Sequence, residues 1–372
     1  MARRPIIVLA DDLTGAAEVG ALAHDLGLRV VVVTKVPRAP IDTDVLVLDT
    51  NTRLDKLGRA AARVKSRADR LRTFPHSGVF KKTDSVLRGS VLTELSACAA
   101  AFGFSRALLI AGNPSLGRTI RAGLCYIDGQ AIDQTPFARD PHHPARSADV
   151  LSLLQAARRS DVYYLKPKTP LPPRGLIVGE NSCAADTAKW VLSVDKHTLP
   201  AGGADFFRAW LTSRITADPK PSSGVWPIGP ALLLHGTTAS TAGESALVFS
   251  GLRPPPTERV ALALHQDAAA TISASPHTLN DATAPAQVAK AFGELTLSLL
   301  DSDAFRHLLI AGGATAATVL KALGWQRLSV VRVWAPGVVS LQPEDHRITV
   351  TLKPGSYPWP AEIQHLYPRL FS

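Results

Sequence analysis

The sequence predicts an α/β fold in two domains, each a largely parallel sheet flanked by helices. Short, continuous apolar runs alternate with amphipathic segments of helical period instead of tight hairpins, the pattern of parallel strands covered on both faces. The length of 372 residues exceeds one ordinary domain. A Pro-, Gly- and Ser-rich stretch, Asp218 to Pro230, interrupts the alternation and reads as a linker. The expected division is therefore 1–217, a linker over 218–230, and 231–372.

The first strand is Ile6 to Ala10, ending at Asp11-Asp12. Thr14 to Leu26 follows as a helix, with Val19, Leu22, Ala23 and Leu26 on one face. Val30 to Val33 and Val45 to Leu48 are further strands. Leu54 to Leu71 is a helix with an apolar stripe of Leu54, Leu57, Ala61, Val64, Ala68 and Leu71. Its opposite face carries Arg59, Arg63, Arg67 and Arg70. Strands are expected at Val79 to Lys82, Ala107 to Ala111 and Leu176 to Gly179. Helices are expected at Val91 to Phe102, Ala148 to Arg158, Cys183 to Leu192 and Ala204 to Arg214.

The second block repeats the alternation. Ala231 to Leu234, Val260 to Leu264, Leu308 to Ala311, Val330 to Val333 and Arg347 to Leu352 read as strands. Ser240 to Phe249, Ala286 to Leu300 and Ala316 to Leu323 read as helices.

A hydrophobic content of 46% with 19% charged residues excludes a disordered chain. No uncharged apolar run reaches the length of a membrane span, and the apolar stretch near the N-terminus is too short for a signal-peptide core, so the chain reads as cytoplasmic. Cys98, Cys125 and Cys183 are scattered without a CxxC pair, which excludes a zinc or disulfide framework and leaves buried thiols as the reading. The net charge of +10 fits either a nucleic acid or a small anionic ligand. No aromatic residues interleave the Arg59 to Arg70 face, so a solvated helix flank is the reading preferred to a nucleic-acid surface.

Several polar groups collect at strand ends, where open α/β sheets bind ligands. Asp11, Asp12 and Thr14 follow the first strand, and two readings stand: hydroxyl recognition or base chemistry, and helix capping. The run Lys81-Lys82-Thr83-Asp84-Ser85-Val86-Leu87-Arg88-Gly89 groups cations, an acid and hydroxyls suited to a carboxylate or phosphate. Gly117-Arg118 offers another cation beside a turn. His142 and His143 are adjacent and lack a third ligand at metal spacing, so no metal site is assigned. Gly236-Thr237-Thr238, Gly312-Gly313-Ala314-Thr315 and Lys353-Pro354-Gly355 are turns at strand ends. Two of them open helices whose bare N–H groups suit phosphate.

With these residues in view, the chain resembles the four-carbon acid sugar kinase family over nearly its whole length. ADDLTGA (10–16), KKTDSVLRGS (81–90), GRTIRAGLCYIDGQ (117–130), FARDPHHPAR (137–146) and LPAGGADFFRAWL (199–211) carry the resemblance, the second being the most specific. The resemblance implies a sugar-acid domain followed by a nucleotide domain, with the active-site cleft between them. It implies ATP with Mg²⁺ as cofactors and a small anionic sugar acid as substrate. It implies no nucleic-acid or membrane partner and admits a homodimer.

The implied substrate contacts are Asp11, Asp12, Lys82, Asp84, Arg88 and Arg118, with Arg88 and Lys82 holding the carboxylate or screening the transferring phosphate. Asp12 or Asp84 is implied as the catalytic residue that orients the attacking hydroxyl. Gly236, Thr238, Ser240, Gly312, Gly313, Thr315 and Gly355 are implied for the nucleotide. Ala314 stands where the family has an acid, and Tyr357-Pro358 stand where its tail has Phe-Gly. The first nucleotide loop reads Gly236-Thr237-Thr238-Ala239 instead of Gly-Ser-Cys-Ser. These departures motivate an alternative: a homologue that binds a sugar acid without phosphotransfer.

Overall fold

The computed structural model describes residues 4–140, 142–156, 159–215, 229–236, 246–274, 284–355 and 357–371. The chain forms two compact units, Met1–Leu28 with Thr34–Asp218, and Arg29–Val33 with Pro219–Ser372.

In the first unit the strands are β1 (Ile6–Ala10), β3 (Val45–Asp49), β4 (Gly78–Lys82), β5 (Arg106–Ile110), β9 (Val162–Leu165), β10 (Gly175–Gly179) and β11 (Thr198–Gly202). They form an entirely parallel run in the order β3-β1-β4-β11-β5-β10-β9. The helices are α1 (Leu13–Asp25), α2 (Leu57–Leu71), α3 (Val91–Phe102), α4 (Val150–Leu153), α5 (Ala184–Leu192) and α6 (Ala204–Thr212). Adjacent residues on β4 show that both faces are covered. Lys81 reaches Glu94 of α3, while Lys82 reaches Glu18 of α1, and successive strand side chains point to opposite faces. On the Lys82 face Phe80 packs among Phe206, Phe207 and Trp210 of α6, its ring 5.0 Å from that of Phe207. Three short antiparallel strands, β6 (Arg118–Arg121), β7 (Leu124–Ile127) and β8 (Gln130–Ala131), make a separate sheet.

The second unit contains β2 (Val30–Val33), β12 (Ala231–His235), β13 (Leu247–Val248), β14 (Ala269–Ser273), β15 (His307–Ala311), β16 (Arg327–Ala335), β17 (Val338–Pro343) and β18 (Thr349–Lys353). Strands β13-β14-β12-β15-β18 are parallel, and β17 and β16 extend the sheet antiparallel. Strand β2, read from sequence as part of the first domain, belongs here because it pairs antiparallel with β16, Val33 opposite Arg327. Helices α7 (Thr257–Asp267), α8 (Ala284–Asp301), α9 (Gly313–Ala322) and α10 (Ala361–Leu366) complete the unit. Ile363, Tyr367 and Leu370 from the tail close a core with Leu233, Leu309 and Val338.

Several expectations are corrected. Val260 to Leu264 is helical: Val260 and Leu264 are buried one turn apart while Leu262 is 53% exposed, a period that excludes a strand. The helix expected over Ala148–Arg158 stops after Leu153, and Gln155 takes a left-handed φ of 54°. The helix expected over Ser240–Phe249 has residues 240–245 outside those described, and Leu247–Val248 is a strand. The helix expected over Leu54–Leu71 starts at Leu57; its buried stripe is Ala60, Val64, Ala68 and Leu71, whereas Leu57 and, ahead of the helix, Leu54 are exposed. Cys98 and Cys125 are buried, their thiols pushed up to about 12 by burial, but Cys183 is exposed. Strands β6, β7, β8, β9, β11, β14 and β17 were not legible. In β11 the Leu-Pro-Ala-Gly sequence reads locally as a turn, and pairing on both sides by β4 and β5 overrides it. Among the described residues no helix is long and apolar enough to cross a membrane.

Candidate functional site

In the first unit the site begins where β3, β1 and β4, neighbours in the sheet, reach their carboxyl ends. The loop after β3 folds onto the end of β1: Thr50 N–H donates to Ala10 O, and Thr52 and Arg53 N–H donate to Asp11 O. That fastening delivers Arg53 to the acids. Its Nε and Nη2 bind Asp11 Oδ2 and Oδ1 at 2.8 and 2.9 Å, and its Nη1 binds Asp12 Oδ2 at 2.7 Å and approaches Asp84 Oδ2 at 3.6 Å. Gly89, at φ 90°, lets the next loop pass against this one, since a Cβ there would lie 3.2 Å from Arg53 O.

Asp84 follows β4. Its Oδ1 accepts from the Val86 and Arg88 main chains at 3.1 and 3.2 Å, and Arg88 Nε and Nη2 hold its two oxygens at 3.1 and 2.8 Å. Arg88 Nη1 also binds Asp140 Oδ2 at 3.1 Å. Asp140 in turn accepts from the His142 and His143 main chains, and the His143 ring meets Arg53 O at 2.9 Å. Asp140 and His143 thus tie their segment to both loops. Lys82 lies 3.0 Å from Glu18 and donates to Thr83 O. Arg118 Nη1 donates to Ser85 Oγ at 2.7 Å.

Charge follows geometry. Burial pushes the Asp11 and Asp84 carboxyls up, but neighbouring cations outweigh it, Arg53 and Lys81 at Asp11 and Arg88 and Arg53 at Asp84. Both stay ionised, Asp84 well below the usual carboxylate range. Burial works against the Lys82 ammonium, and Glu18 and Asp11 reverse it, raising its pKa. Both Asp84 oxygens thus face main-chain and guanidinium donors from Val86, Arg88 and Arg53. Asp12 caps α1, accepting from Gly15 N–H and the Thr14 hydroxyl, which is the capping reading of this motif. Its side chain is 20% exposed against 5% for Asp11 and 6% for Asp84, so it is the most open of the three acids around Arg53.

Arg53, Glu18, Glu94 and Asp140 escaped sequence reading. The signal for Arg53 was its place just beyond an apolar strand run, the same signal that singled out Asp12 and Asp84. The arginines of α2 are partly structural, with Arg63, Arg67 and Arg70 donating to the carbonyls of Asn51, Asp49 and Val36.

In the second unit the turns after β12, β15 and β18, adjacent strands, carry Gly236, Gly312-Gly313 and Gly355. Gly312 has φ 110°, and its N–H donates to Lys353 O. A Cβ on Gly236 would fall 2.2 Å from Thr315 Oγ1, and one on Gly312 would fall 3.0 Å from Gly236 O. Thr315 donates to Gly236 O at 3.2 Å. Only glycine keeps this cradle open, and the first turn of α9 holds no acid, so its N-terminus suits phosphate. Thr238 and Ser240 lie outside the described residues. Lys353 does not face outward as a ligand cation: its ammonium donates to Pro354 O at 3.0 Å, Gly355 O at 3.2 Å and Tyr357 O, holding the tail turn, and burial lowers its pKa to about 8.

Two family models match, a sugar-binding N-terminal domain over residues 6–188 and a nucleotide-binding C-terminal domain over 256–357. The chain is 32% identical over 160 residues to a D-threonate kinase of Salmonella typhimurium strain LT2, covering 42% of this chain and 38% of that one. It is 27% identical to a D-erythronate kinase of Heliobacterium modesticaldum, covering 58% and 51%. The chain thus spans about half or less of the length of these two relatives. With a 3-oxo-tetronate kinase of Pseudomonas fluorescens it is 23% identical, covering 95% and 94%. Solved proteins of Salmonella typhimurium LT2 and Haemophilus influenzae share the fold, with TM-scores of 0.78 and 0.73, identities of 19% and 16%, and coverage of 99% and 98% of this chain and 100% of each of theirs. The two domain matches, in this order and over most of the chain, place it among proteins built from a sugar-binding N-terminal domain and a nucleotide-binding C-terminal domain.

Proposed function

We propose that the protein is an ATP-dependent kinase that phosphorylates a small four-carbon sugar acid such as threonate, erythronate or a 3-oxo-tetronate. The observation that carries this reading is the convergence of Asp11, Asp12 and Asp84 on Arg53 at the carboxyl ends of three adjacent parallel strands, within the segment matched by the sugar-binding model. The named activities of the relatives supply the reaction class.

Asp12 accepts a hydrogen bond from the attacking hydroxyl and takes its proton as the new oxygen–phosphorus bond forms and the bond from the γ-phosphorus to the β,γ-bridging oxygen breaks, releasing ADP. Arg53 fixes the Asp12 carboxylate, and Asp11 and Asp84 fix Arg53. Phosphoryl transfer depends mostly on positioning and charge neutralisation, so a rigid acid of this kind is a sufficient protein contribution at the hydroxyl. The cradle of Gly236, Gly312, Gly313 and Thr315, with Gly355 in the turn after the adjacent strand β18, receives the nucleotide phosphates. Mg²⁺ bound with ATP, held mainly by phosphate oxygens and water, would supply charge screening at the transferring phosphate.

The test is ATP consumption with D-threonate, D-erythronate and their 3-oxo forms, with and without Mg²⁺. Turnover with at least one acid, abolished by chelation, is expected. A protein that binds an acid yet consumes no ATP with any of them refutes the kinase reading.

A further inference from the structure

Two of the three cations expected to grip the substrate, Arg88 and Lys82, already have carboxylate partners, as does Arg53 beside them. Arg88 lies between Asp84 and Asp140, Arg53 among Asp11, Asp12 and Asp84, and Lys82 against Glu18. A carboxylate brought to any of them competes with a protein carboxylate at hydrogen-bond distance, in a place where acids are already plentiful. Arg118 is different. Its guanidinium bonds Ser85 Oγ at 2.7 Å and has no carboxylate partner among the described residues.

Ser85 sits next to Asp84 and is 8% exposed. Its oxygen accepts from Arg118, which leaves its own proton to donate. Arg118 is fixed from below. Its N–H donates to Asn113 O, and it starts β6 opposite Ile127. Gly117 before it has φ 67°, and a Cβ there would collide with Asp128. A planar fork and a hydroxyl donor, both anchored, form a receptor for two oxygens of one carboxylate.

We propose that Arg118 and Ser85 hold the carboxylate of the acid substrate, and that Arg88, Arg53 and Lys82 organise the protein's own acids. This rests on the sugar-acid reading of the first unit but not on turnover. The test is calorimetric binding of D-threonate and D-erythronate, set against the uncharged tetritols threitol and erythritol, to the full chain and its variants. The wild-type chain is expected to prefer an acid over its tetritol, and Arg118→Gln to weaken acid binding at least tenfold while leaving tetritol binding within about twofold. Arg118→Lys should regain part of the preference. Ser85→Ala, which keeps the main chain intact, should weaken acid binding several-fold and serves if Arg118→Gln fails to fold.

Where turnover is measurable, the KM for the acid should rise and that for ATP should stay level. Unchanged acid affinity in Arg118→Gln, a rise confined to the KM for ATP, or no acid binding by the wild-type chain overturns the proposal. Acid binding that depends on Arg118 without ATP consumption upholds it and refutes the kinase reading alone.

Discussion

Arg53 grips Asp11 through two parallel hydrogen bonds, Nε to Oδ2 at 2.8 Å and Nη2 to Oδ1 at 2.9 Å. The pair joins the loop after β3 to the end of β1, and the remaining nitrogen reaches Asp12. A planar fork makes this geometry, and an ammonium cannot.

Arg53→Ala should therefore be costly twice over. It leaves buried Asp11 without its main partner, a loss of about 3–5 kcal/mol when one member of a buried pair is removed, and it frees Asp12. Denaturant unfolding should show the stability loss, and kcat/KM should fall by well over a hundredfold. Arg53→Lys should recover part of the stability and little of the activity. Equal activity in Arg53→Lys and wild type would remove the positioning role.

Arg88→Ala should lower kcat/KM by well over tenfold while the chain still folds, because Asp84 keeps its main-chain donors and Arg53 at 3.6 Å. The expected change lies in kcat more than in the KM for the acid, since Arg88 orients Asp84 and Asp140 and leaves carboxylate binding to Arg118. Steady-state kinetics beside a thermal melt separates these outcomes.

Asp49, buried at the end of β3, has its carboxyl pushed up to about 7 by burial, with the nearby Asp12 and Asp11 charges adding to the effect against the Asn51 N–H. The folded chain binds a proton here more tightly than the unfolded chain. Stability is therefore lost as pH rises from the unfolded carboxylate value near 4 toward 7, at up to about 1.4 kcal/mol per pH unit. Asp49→Asn can still accept from Asn51 N–H and does not ionise. Its Tm should exceed that of wild type at pH 8 and match it more closely at pH 4. A difference independent of pH would show that the Asp49 carboxyl is not the cause.

Gly236→Ala places a methyl 2.2 Å from Thr315 Oγ1. Nucleotide binding should weaken at least tenfold in an ATP titration, while D-threonate or D-erythronate binding to the first unit stays unchanged. Loss of both would point to general unfolding and away from a local closure of the cradle.

Much of the architecture was legible because local chemistry writes it directly. Continuous apolar runs such as Ile6–Ala10 and Leu308–Ala311 can be satisfied only inside a covered parallel sheet. The misread elements share a cause. Val260–Leu264 is a short continuous apolar run in isolation, yet burial of Val260 and Leu264 on one helical face decides it. Thr198–Gly202 looks like a turn, yet two flanking strands supply its partners.

The sequence by itself determined the alternating α/β plan, the polar clusters at strand ends and the glycine turns of the second unit. Strand ends and helix starts leave local marks: acids, glycines, and breaks in apolar period. Only the tertiary structure decided which cation meets which acid. Arg53 lies 42 residues from Asp11, and the parallel order β3-β1-β4 alone makes them neighbours. The same folding neutralised Arg88 and Lys82 and left Arg118 beside Ser85. Charge in a sequence is a property of each residue, but the charge available to a ligand depends on which carboxylates the fold places within 3 Å or so of each cation.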